Sequence, residues 1–178
     1  MRRKSTTSEM MKSYIVDALL ILMSEKDFYS ITIDELVKKA GVNRSTYYRH
    51  FTGKEDVIFY FLDSVMSEYL EKVRLEKPDL RTYLLNMFAH YLNYREQMLV
   101  IYQAGLSIVL LRVLEKYFYS RIDTNRPLAE QYNVSFYIGG IFNHFQMWFS
   151  RGMQESPEQL TEFALLSLPP QFVPYLTK

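Results

Sequence analysis

The sequence contains no cysteine, only three histidines, and no unbroken apolar run of the roughly 18 residues that a membrane-spanning helix needs. The lack of cysteine excludes disulfides, thiol nucleophiles and thiolate metal sites. The histidines are His50, His90 and His144, and none lies at metal-ligand spacing from another. A glycine-rich phosphate loop and a nucleophile motif are also missing. We therefore expect no enzymatic activity, no metal and no cofactor.

Segments that alternate between polar and apolar residues, as half-buried strands do, are missing as well. Apolar residues instead recur at intervals of three and four, which is typical of amphipathic helices. The apolar run from Tyr14 to Met23 is interrupted by Asp17 and has no small-residue cleavage site after it, so it predicts a first helix and not a secretion signal. We expect an all-α fold in a soluble, cytoplasmic protein with no membrane partner.

Residues 31–56 contain closely spaced signals for helix starts and helix ends. Thr32-Ile33-Asp34-Glu35 has the pattern of a capping box, in which the threonine hydroxyl and the glutamate carboxylate each accept from the other residue's backbone N–H. Gly41 is suited to end that helix because glycine adopts the left-handed conformation at little cost. Asn43 can cap a second helix, and Thr52-Gly53-Lys54-Glu55 predicts a second capping box that opens a third.

The middle helix of this segment extends only from about Arg44 to His50. A helix of about seven residues is not stable alone, so its neighbours must hold it. Its residues are mostly polar donors, with Tyr47 and Phe51 as anchors into the core. A short donor-bearing helix after a glycine turn is typical of the recognition helix of a helix-turn-helix, which lies in the major groove of DNA. The alternative is a small three-helix core with a solvated polar face.

The distribution of charge favours DNA binding. Residues 1–54 contain ten Lys and Arg against six Asp and Glu, a net charge of +4, whereas residues 55–178 have a net charge of −3. Basic residues near the reading helix neutralise phosphates and so raise the affinity for DNA. Arg2-Arg3-Lys4 either adds a minor-groove arm to this surface or forms a solvated terminus.

The segment closely resembles the N-terminal domain of TetR/AcrR-type transcriptional regulators, through TIDELVKKAGV at residues 32–42, STYYRHF at residues 45–51, and Lys54-Glu55. The resemblance covers about residues 10–60 and implies positions that contact DNA. These are Arg44 and Ser45 at base edges, Thr46 and Tyr48 at the groove edge with Tyr48 on phosphate, Thr32, His50 and Lys54 on the DNA backbone, and Tyr47, which would combine packing with contact. We therefore expect a helix-turn-helix DNA-binding domain at residues 1–53 and a larger helical regulatory and dimerisation domain at residues 54–178.

The pattern after residue 53 is helical throughout. It predicts helices at about residues 54–76, 80–94, 96–104, 106–121 and 128–152, and a last helix that begins at Pro157 with Ser156 as its cap. Residues 123–127 form a loop, and the proline-rich segment 168–174 cannot be regular helix. The long helix at 54–76 follows directly after the helix-turn-helix domain. Movement at the far end of this helix can therefore reorient the recognition helix.

Residues 55–178 hold eleven Tyr, ten Phe and the only Trp, Trp148. One explanation is a cavity for a small apolar or aromatic ligand, with a few polar groups that orient it. The alternative is an ordinary core plus a dimer interface, because both are rich in aromatic residues. The candidate ligand-binding residues are Tyr83, Met87, His90, Tyr94, Tyr102, Gln103, Asn143, His144 and Met147.

Helix-turn-helix proteins usually bind palindromic DNA as two-fold dimers, so we expect a homodimer. The resemblance implies that the last two long helices pair with their copies as a four-helix bundle. Gly139-Gly140 would allow close helix approach there, or would make room for large neighbours. Residues 139–158 also resemble the C-terminal domain of a subset of the family that includes a dihydroxyacetone-kinase activator. The candidate interface residues are Phe142, Phe145, Phe149 and Leu160.

Two functions fit these patterns. The first is a homodimeric repressor that a small, largely apolar or aromatic ligand releases from a palindromic operator. The second is a DNA-bound adaptor or activator that responds to a protein partner and has no small-molecule site. A cavity lined by His90 and His144 would favour the first, and a solid core with an exposed aromatic patch would favour the second.

Overall fold

A computed structural model describes residues 2–119 and 127–167, with side chains from residue 7 onward. The side chains of the predicted minor-groove arm, Arg2-Arg3-Lys4, lie outside the described part. So do most of the predicted loop at residues 123–127 and the proline-rich segment 168–174.

All regular structure in the described ranges is helical, which confirms the all-α prediction. The helices are α1 (Arg2–Glu25), α2 (Ile33–Ala40), α3 (Arg44–His50), α4 (Lys54–Glu76), α5 (Leu80–Leu92), α6 (Arg95–Gln103), α7 (Ile108–Tyr119), α8 (Leu128–Ser150) and α9 (Pro157–Ser167), with a 3-10 turn at Phe28–Ser30 between α1 and α2. The predicted and observed bounds of α2 to α9 agree to within about two residues, because caps and breaks are local signals.

The caps of α2 and α3 form as predicted. The Glu35 N–H donates to the Thr32 hydroxyl at 3.2 Å, and the Thr32 N–H donates to the Glu35 carboxylate at 2.8 Å. Gly41 ends α2 in the left-handed conformation, with φ of 68°. The Asn43 side-chain oxygen accepts from the Thr46 N–H at 2.7 Å and so begins α3. These caps satisfy N–H and C=O groups that helices this short would otherwise leave unpaired.

The predicted capping box at Thr52 is wrong. The residue that caps α4 is Gly53, which has no side chain to accept a hydrogen bond. The carboxylate of Asp56 accepts instead from the Thr52 N–H at 3.0 Å and from its hydroxyl at 3.3 Å. α4 begins one residue later than a capping box at Thr52 requires. The third helical residue is therefore Asp56 and not Glu55, and it is the Asp56 carboxylate that accepts from Thr52.

The buried apolar residues of the described chain form one connected cluster, from Ile15 in α1 to Ala164 in α9. α4 packs on α7, α7 on α8, and α5 on α9, while α1 contacts both α4 and α6. The Tyr60 hydroxyl of α4 also donates to the Glu9 carboxylate of α1 at 2.6 Å. The proposed domain boundary at residues 53 and 54 is therefore the start of α4, and the core continues across it.

No single helix in residues 2–119 and 127–167 is long and apolar enough to cross a membrane. The consecutive helices α6 and α7 reach the required length and composition only as a pair, and the chain bends by 117° between them.

The capping box of α2 predicts an unusual titration. The Lys26 ammonium, 2.5 Å away, and the N–H and hydroxyl of Thr32 stabilise the carboxylate and lower the pKa of Glu35 to about 2. The hydrogen bonds to the charged Glu35 carboxylate also stabilise the folded state. Because the pKa of Glu35 in the folded protein is below its ordinary value of about 4.3, this contribution to stability is complete above pH 4.3. It is lost as the pH falls through about 2.

We expect carboxyl-carbon NMR to give this low midpoint for Glu35. Lys26→Met should raise the pKa of Glu35 towards its ordinary value, whereas Lys39→Met, which removes a lysine paired with Glu25 at 3.5 Å, should leave it in place. A Glu35 midpoint near 4.3 in the unaltered protein would contradict the capping geometry.

Candidate nucleic-acid interface and effector cavity

The solvent-facing strip of α3 consists of Arg44, Ser45, Tyr48 and Arg49. These residues recur at the helical spacing of four, so they lie on one side of the helix. Tyr48 is 58% exposed, and its ring packs edge-on against Tyr47. Of the other predicted DNA contacts, Thr32 is exposed, and Thr46 and His50 are half-buried. The strip carries guanidinium, hydroxyl and phenol donors, which are the groups that contact base edges and phosphates.

Tyr47 is not part of this surface. Its side chain is fully buried, and its ring packs against Phe51 with 6.0 Å between ring centroids. Burial raises the pKa of Tyr47 to about 12. The prediction that Tyr47 combines packing with DNA contact is therefore corrected, because a buried ring on the far side of α3 cannot reach a groove. The residue anchors the recognition helix to the core.

Lys54, predicted to contact the DNA backbone, also makes contacts inside the protein. Its ammonium donates to the carbonyl oxygens of Phe28 at 2.5 Å and Ile31 at 2.6 Å, and it lies 4.6 Å above the Phe28 ring. Burial lowers the pKa of Lys54. Two of its three N–H donors are thus used inside the protein, and the side chain joins the 3-10 turn before α2 to the start of α4.

The small hydroxyl residues take part in the caps. The Ser45 hydroxyl donates to the Asn43 side-chain oxygen at 2.8 Å, and the Thr32 hydroxyl donates to the Glu35 carboxylate at 2.9 Å. Both hydroxyls keep a lone pair that can accept a hydrogen bond. Arg44 forms a two-point contact, because its guanidinium pairs with the carboxylate of Asp34 from α2 through two atoms, at 2.6 and 2.7 Å.

An apolar cavity of about 330 Å³ lies between α5, α8 and α9. The predicted ligand-binding residues that line it are Met87, Asn143 and His144. Other lining residues include Phe88, Tyr137, Gly140 and Ala164. The His144 Nδ1 atom is 3.0 Å from the Gly140 carbonyl, which can only accept, so Nδ1 carries the proton and Nε2 is left for an outside partner.

The other predicted ligand residues lie elsewhere. His90 lines a separate polar groove of about 270 Å³ with Lys72 and Glu76. Its Nε2 donates to the Val65 carbonyl at 2.9 Å, and burial lowers the pKa of His90. His90 and His144 therefore line different pockets. Tyr83 is fully buried in the core, Tyr94 donates to Glu68 at 2.8 Å, Tyr102 packs edge-on against Phe149, and Gln103 is exposed at the end of α6.

Met147 belongs to a wider groove of about 640 Å³ between α8 and α9, which also includes Asn143, His144, Arg151 and Phe163. The cavity and the groove thus share Asn143 and His144. Among residues 2–119 and 127–167, no group of three or more His, Asp or Glu side chains is arranged to hold a metal ion.

Three of the four predicted interface residues on α8 and α9 are corrected. Phe145, Phe149 and Leu160 are each at most 5% exposed within a single chain, and Phe142 is half-buried. Phe145, Phe149 and Leu160 face the core, so they cannot form the contact surface between two copies, whereas Phe142 stays a predicted interface residue. The opposite face of α8 is the exposed one.

Two family models match the chain. Residues 15–60 match the model described as bacterial regulatory proteins, tetR family, and residues 78–167 match one described as a transcriptional regulator C-terminal region. The second match alone spans half of the chain. The chain belongs to the TetR family of bacterial transcriptional regulators. The predicted family and its helix-turn-helix DNA-binding domain are thereby confirmed.

This TetR-family regulator has curated relatives of low identity. It is 27% identical over 124 residues to the Transposon Tn10 TetC protein of Escherichia coli, across 65% of the chain and 63% of that protein. It is 30% identical over 59 residues to the HTH-type transcriptional regulator HbdR of Aromatoleum sp. (strain CIB), across 33% of the chain and 26% of that protein. The chain therefore spans less than two thirds of the length of either relative.

Solved structures share its fold. A TetR transcriptional regulator from Streptococcus agalactiae 2603V superposes with a TM-score of 0.64 at 18% identity, covering 92% of this chain and 96% of the other. The fatty acid degradation regulator FadR from Bacillus halodurans superposes with a TM-score of 0.57 at 16% sequence identity, covering 86% of this chain and 92% of the other. The dihydroxyacetone kinase operon activator DhaS superposes with a TM-score of 0.55 at 16% sequence identity, covering 94% of this chain and 98% of the other.

Two polar residues of the reading end were not among the predicted contacts. Arg49 is exposed on the strip of α3, and Asp34 pairs with Arg44 although the two are ten residues apart. Helical spacing within α3 would have placed Arg49 beside Ser45. The position of Asp34 depends on the crossing of α2 and α3, which no local pattern encodes.

Lys54 provides a test of the TetR-family head. Lys54→Met should leave the Ile31 carbonyl without its lysine donor and the Phe28 carbonyl with only the Ile31 N–H, and it should lower the free energy of unfolding by about 1–3 kcal/mol in denaturant titrations followed by circular dichroism. Lys39→Met removes an exposed lysine and should change it by less than about 1 kcal/mol. Unchanged stability of Lys54→Met, together with a shallower salt dependence of DNA binding, would show that Lys54 acts mainly as a phosphate contact.

Proposed function

We propose that this TetR-family regulator is a homodimeric, cytoplasmic repressor that a small, largely apolar or aromatic ligand releases from a palindromic operator. The observation that carries the proposal is the combination of an exposed donor strip on α3 with a partly open apolar cavity in the C-terminal helices of the same chain. In the proposed complex, Arg44 and Ser45 contact base edges, while Thr32, Thr46, Tyr48 and His50 contact the groove edge and phosphates.

The dimer face proposed here is the exposed side of α8 and α9. Its large apolar side chains are between 50% and 87% exposed in the single chain. They are Leu128, Tyr132, Phe136 and Met147 on α8, and Phe163 and Leu166 on α9. An apolar patch of this extent is uncommon on a monomer and is typical of a protein interface. A second copy related by a two-fold axis would cover the same residues on both chains.

Gly139 and Gly140 lie in the middle of this face. A Cβ atom added at either position meets no atom within 4 Å in the single chain. Packing within one chain therefore gives no reason for glycine, which costs a helix about 1 kcal/mol relative to alanine. Close approach of a partner helix at Gly139 and ligand space at Gly140 supply such a reason.

The route from the cavity to the DNA passes through α4 and α5. α5 lines the cavity with Met87 and Phe88, and it is fixed to α4 by the hydrogen bond from His90 to the Val65 carbonyl. The Tyr69 hydroxyl of α4 donates to the Tyr83 carbonyl at 2.5 Å. A ligand that prefers a shifted α5 would move α4 and the reading head with it. Because such coupling is reciprocal, operator DNA must lower the affinity for the ligand by the same factor.

A second function has support in the exposed aromatic face. If a protein partner and not a second copy covers Phe136, Tyr132 and Phe163, the chain is a DNA-bound adaptor or activator without a small-molecule site. The two functions differ in what the face of α8 and α9 binds and in whether the cavity between α5, α8 and α9 takes a ligand.

The dimer face can be tested by its charge tolerance. Phe136→Glu should convert a dimer to a monomer in sedimentation velocity at micromolar concentration, because it buries a carboxylate in the interface. The helix content should stay the same, since Phe136 is 76% exposed in the single chain. Leu75→Glu, on α4 and 75% exposed, is the matched control and should remain dimeric. A monomeric unaltered protein, or dissociation of both variants, would contradict the proposed face.

The cavity can be tested by filling it. Indole, benzyl alcohol and decanoate are suitable probes in thermal-shift assays, and a probe at 100 times its dissociation constant stabilises the protein by about 2.7 kcal/mol. Gly140→Leu places a side chain in the cavity and should abolish the stabilisation. Asn133→Leu adds a leucine at an exposed position of the same helix, outside the cavity lining and outside the proposed dimer-face residues, so it should keep the response to the probe.

The same probe should release a DNA fragment that the protein selects from a random library. The DNA in turn should weaken binding of the probe. If no aromatic or lipid-like probe stabilises the protein while sequence-specific DNA binding remains intact, the adaptor function is favoured over the ligand-controlled repressor.

A further inference from the structure

Asp34 and Arg44 form a two-point ion pair on the reading surface. The Arg44 Nε atom is 2.6 Å from Asp34 Oδ1, and its Nη2 atom donates to Oδ2 at 2.7 Å. The pair joins the first turn of α2 to the first residue of α3, on the surface proposed to read DNA. Both side chains are more than half exposed, at 69% for Asp34 and 60% for Arg44.

The geometry determines which donors Arg44 keeps. A guanidinium has five N–H groups in one plane, and Asp34 uses the edge formed by Nε and Nη2. The opposite edge, formed by Nη1 and the second hydrogen of Nη2, retains two parallel donors. Two parallel donors match the O6 and N7 acceptors of guanine in the major groove. Asp34 therefore leaves one two-donor edge of the arginine free, and the geometry of that edge suits guanine.

A role in stability alone explains the acid poorly. Exposed ion pairs contribute little to folding, with a median of about 0–1 kcal/mol. The capping box of α2 is completed by Thr32 and Glu35, so the cap does not need Asp34. A carboxylate beside DNA also repels the phosphates and lowers the affinity for every sequence. The presence of Asp34 at the reading surface is explained if it lowers the affinity for DNA in general but increases the discrimination among DNA sequences.

We propose that Asp34 is a positioning residue that fixes the guanidinium of Arg44 for the recognition of one guanine in each operator half-site. The proposal rests on the proposed DNA-reading role of α3 and adds the base that it reads. A flexible arginine would satisfy phosphates and several bases nearly equally, whereas a held one loses less side-chain entropy on binding a single target.

The test is selection from a random double-stranded DNA library with the full chain, followed by measurement of base preference at each position. The variants are Asp34→Asn, Arg44→Ala and the double variant. Glu25→Gln is the matched control, because it also removes one exposed carboxylate that pairs with a lysine on the same domain, at 3.5 Å, but away from α3. Circular dichroism and thermal unfolding establish that each variant is folded.

We expect the unaltered protein to require guanine at one position of each half-site. Arg44→Ala should lower that preference by about 5- to 150-fold, which is the range for a bidentate contact, and Asp34→Asn should lower it by about tenfold. Asp34→Asn should at the same time bind random DNA more tightly. In the Arg44→Ala background, Asp34→Asn should leave base preference unchanged, because Asp34 acts through Arg44. Glu25→Gln should keep the preference of the unaltered protein.

Several outcomes would overturn the proposal. Asp34→Asn could leave the guanine preference intact, or could raise the affinity for all sequences alike, which would make Asp34 an electrostatic brake. An effect of Asp34→Asn that persists without Arg44 would show that it acts elsewhere. A uniform loss of affinity in Arg44→Ala, with base preference retained, would place Arg44 on phosphate. If the unaltered protein selects no sequence at all, the DNA-reading function of α3 fails together with the pairing proposal.

Discussion

The burial of Tyr47 is the interaction on which the reading head depends. A helix of about seven residues has too few hydrogen bonds to repay the cost of nucleation, so α3 is helical only while its inner side is held. Tyr47 and Phe51 anchor the inner side of α3 to the core. The Asn43 side chain and the backbone turn at Gly41 fix the direction in which the chain enters α3. The exposed strip exists because the ring on the other side of the same two turns is completely removed from water.

The sequence was most informative where structure is encoded by neighbouring residues. The caps at Thr32, Asn43 and Ser156 and the left-handed Gly41 depend on chemistry within three or four positions, and the helix bounds were predictable from them. The internal contacts of Lys54 were not predicted because its partners, the carbonyls of Phe28 and Ile31, are more than twenty residues away in the chain. A basic residue near a reading helix looks the same in sequence whether it contacts phosphate or its own backbone.

The C-terminal helices show a different limit. α8 is apolar on nearly all sides, so periodicity alone could not tell that Phe145 and Phe149 face the core while Phe136 and Met147 face outward. Only the position of α5, α7 and α9 around it decides the matter. The same helix provides Asn143 and His144 to both the cavity and the groove beside the proposed dimer face. Occupation of the cavity and the fit between two copies are consequently properties of one helix surface.

The contacts of α1 with α4 and α6 give the head two points of attachment to the rest of the molecule. The head is therefore not attached through a single hinge. α4 continues the chain from the head, and α6 packs back against α1 of the head, so the two attachments form a closed linkage. A closed linkage permits tilting of the whole head but resists independent swinging. For the proposed dimer, this means that the distance between the two recognition helices takes few values, so an operator tolerates little variation in the number of base pairs between its half-sites.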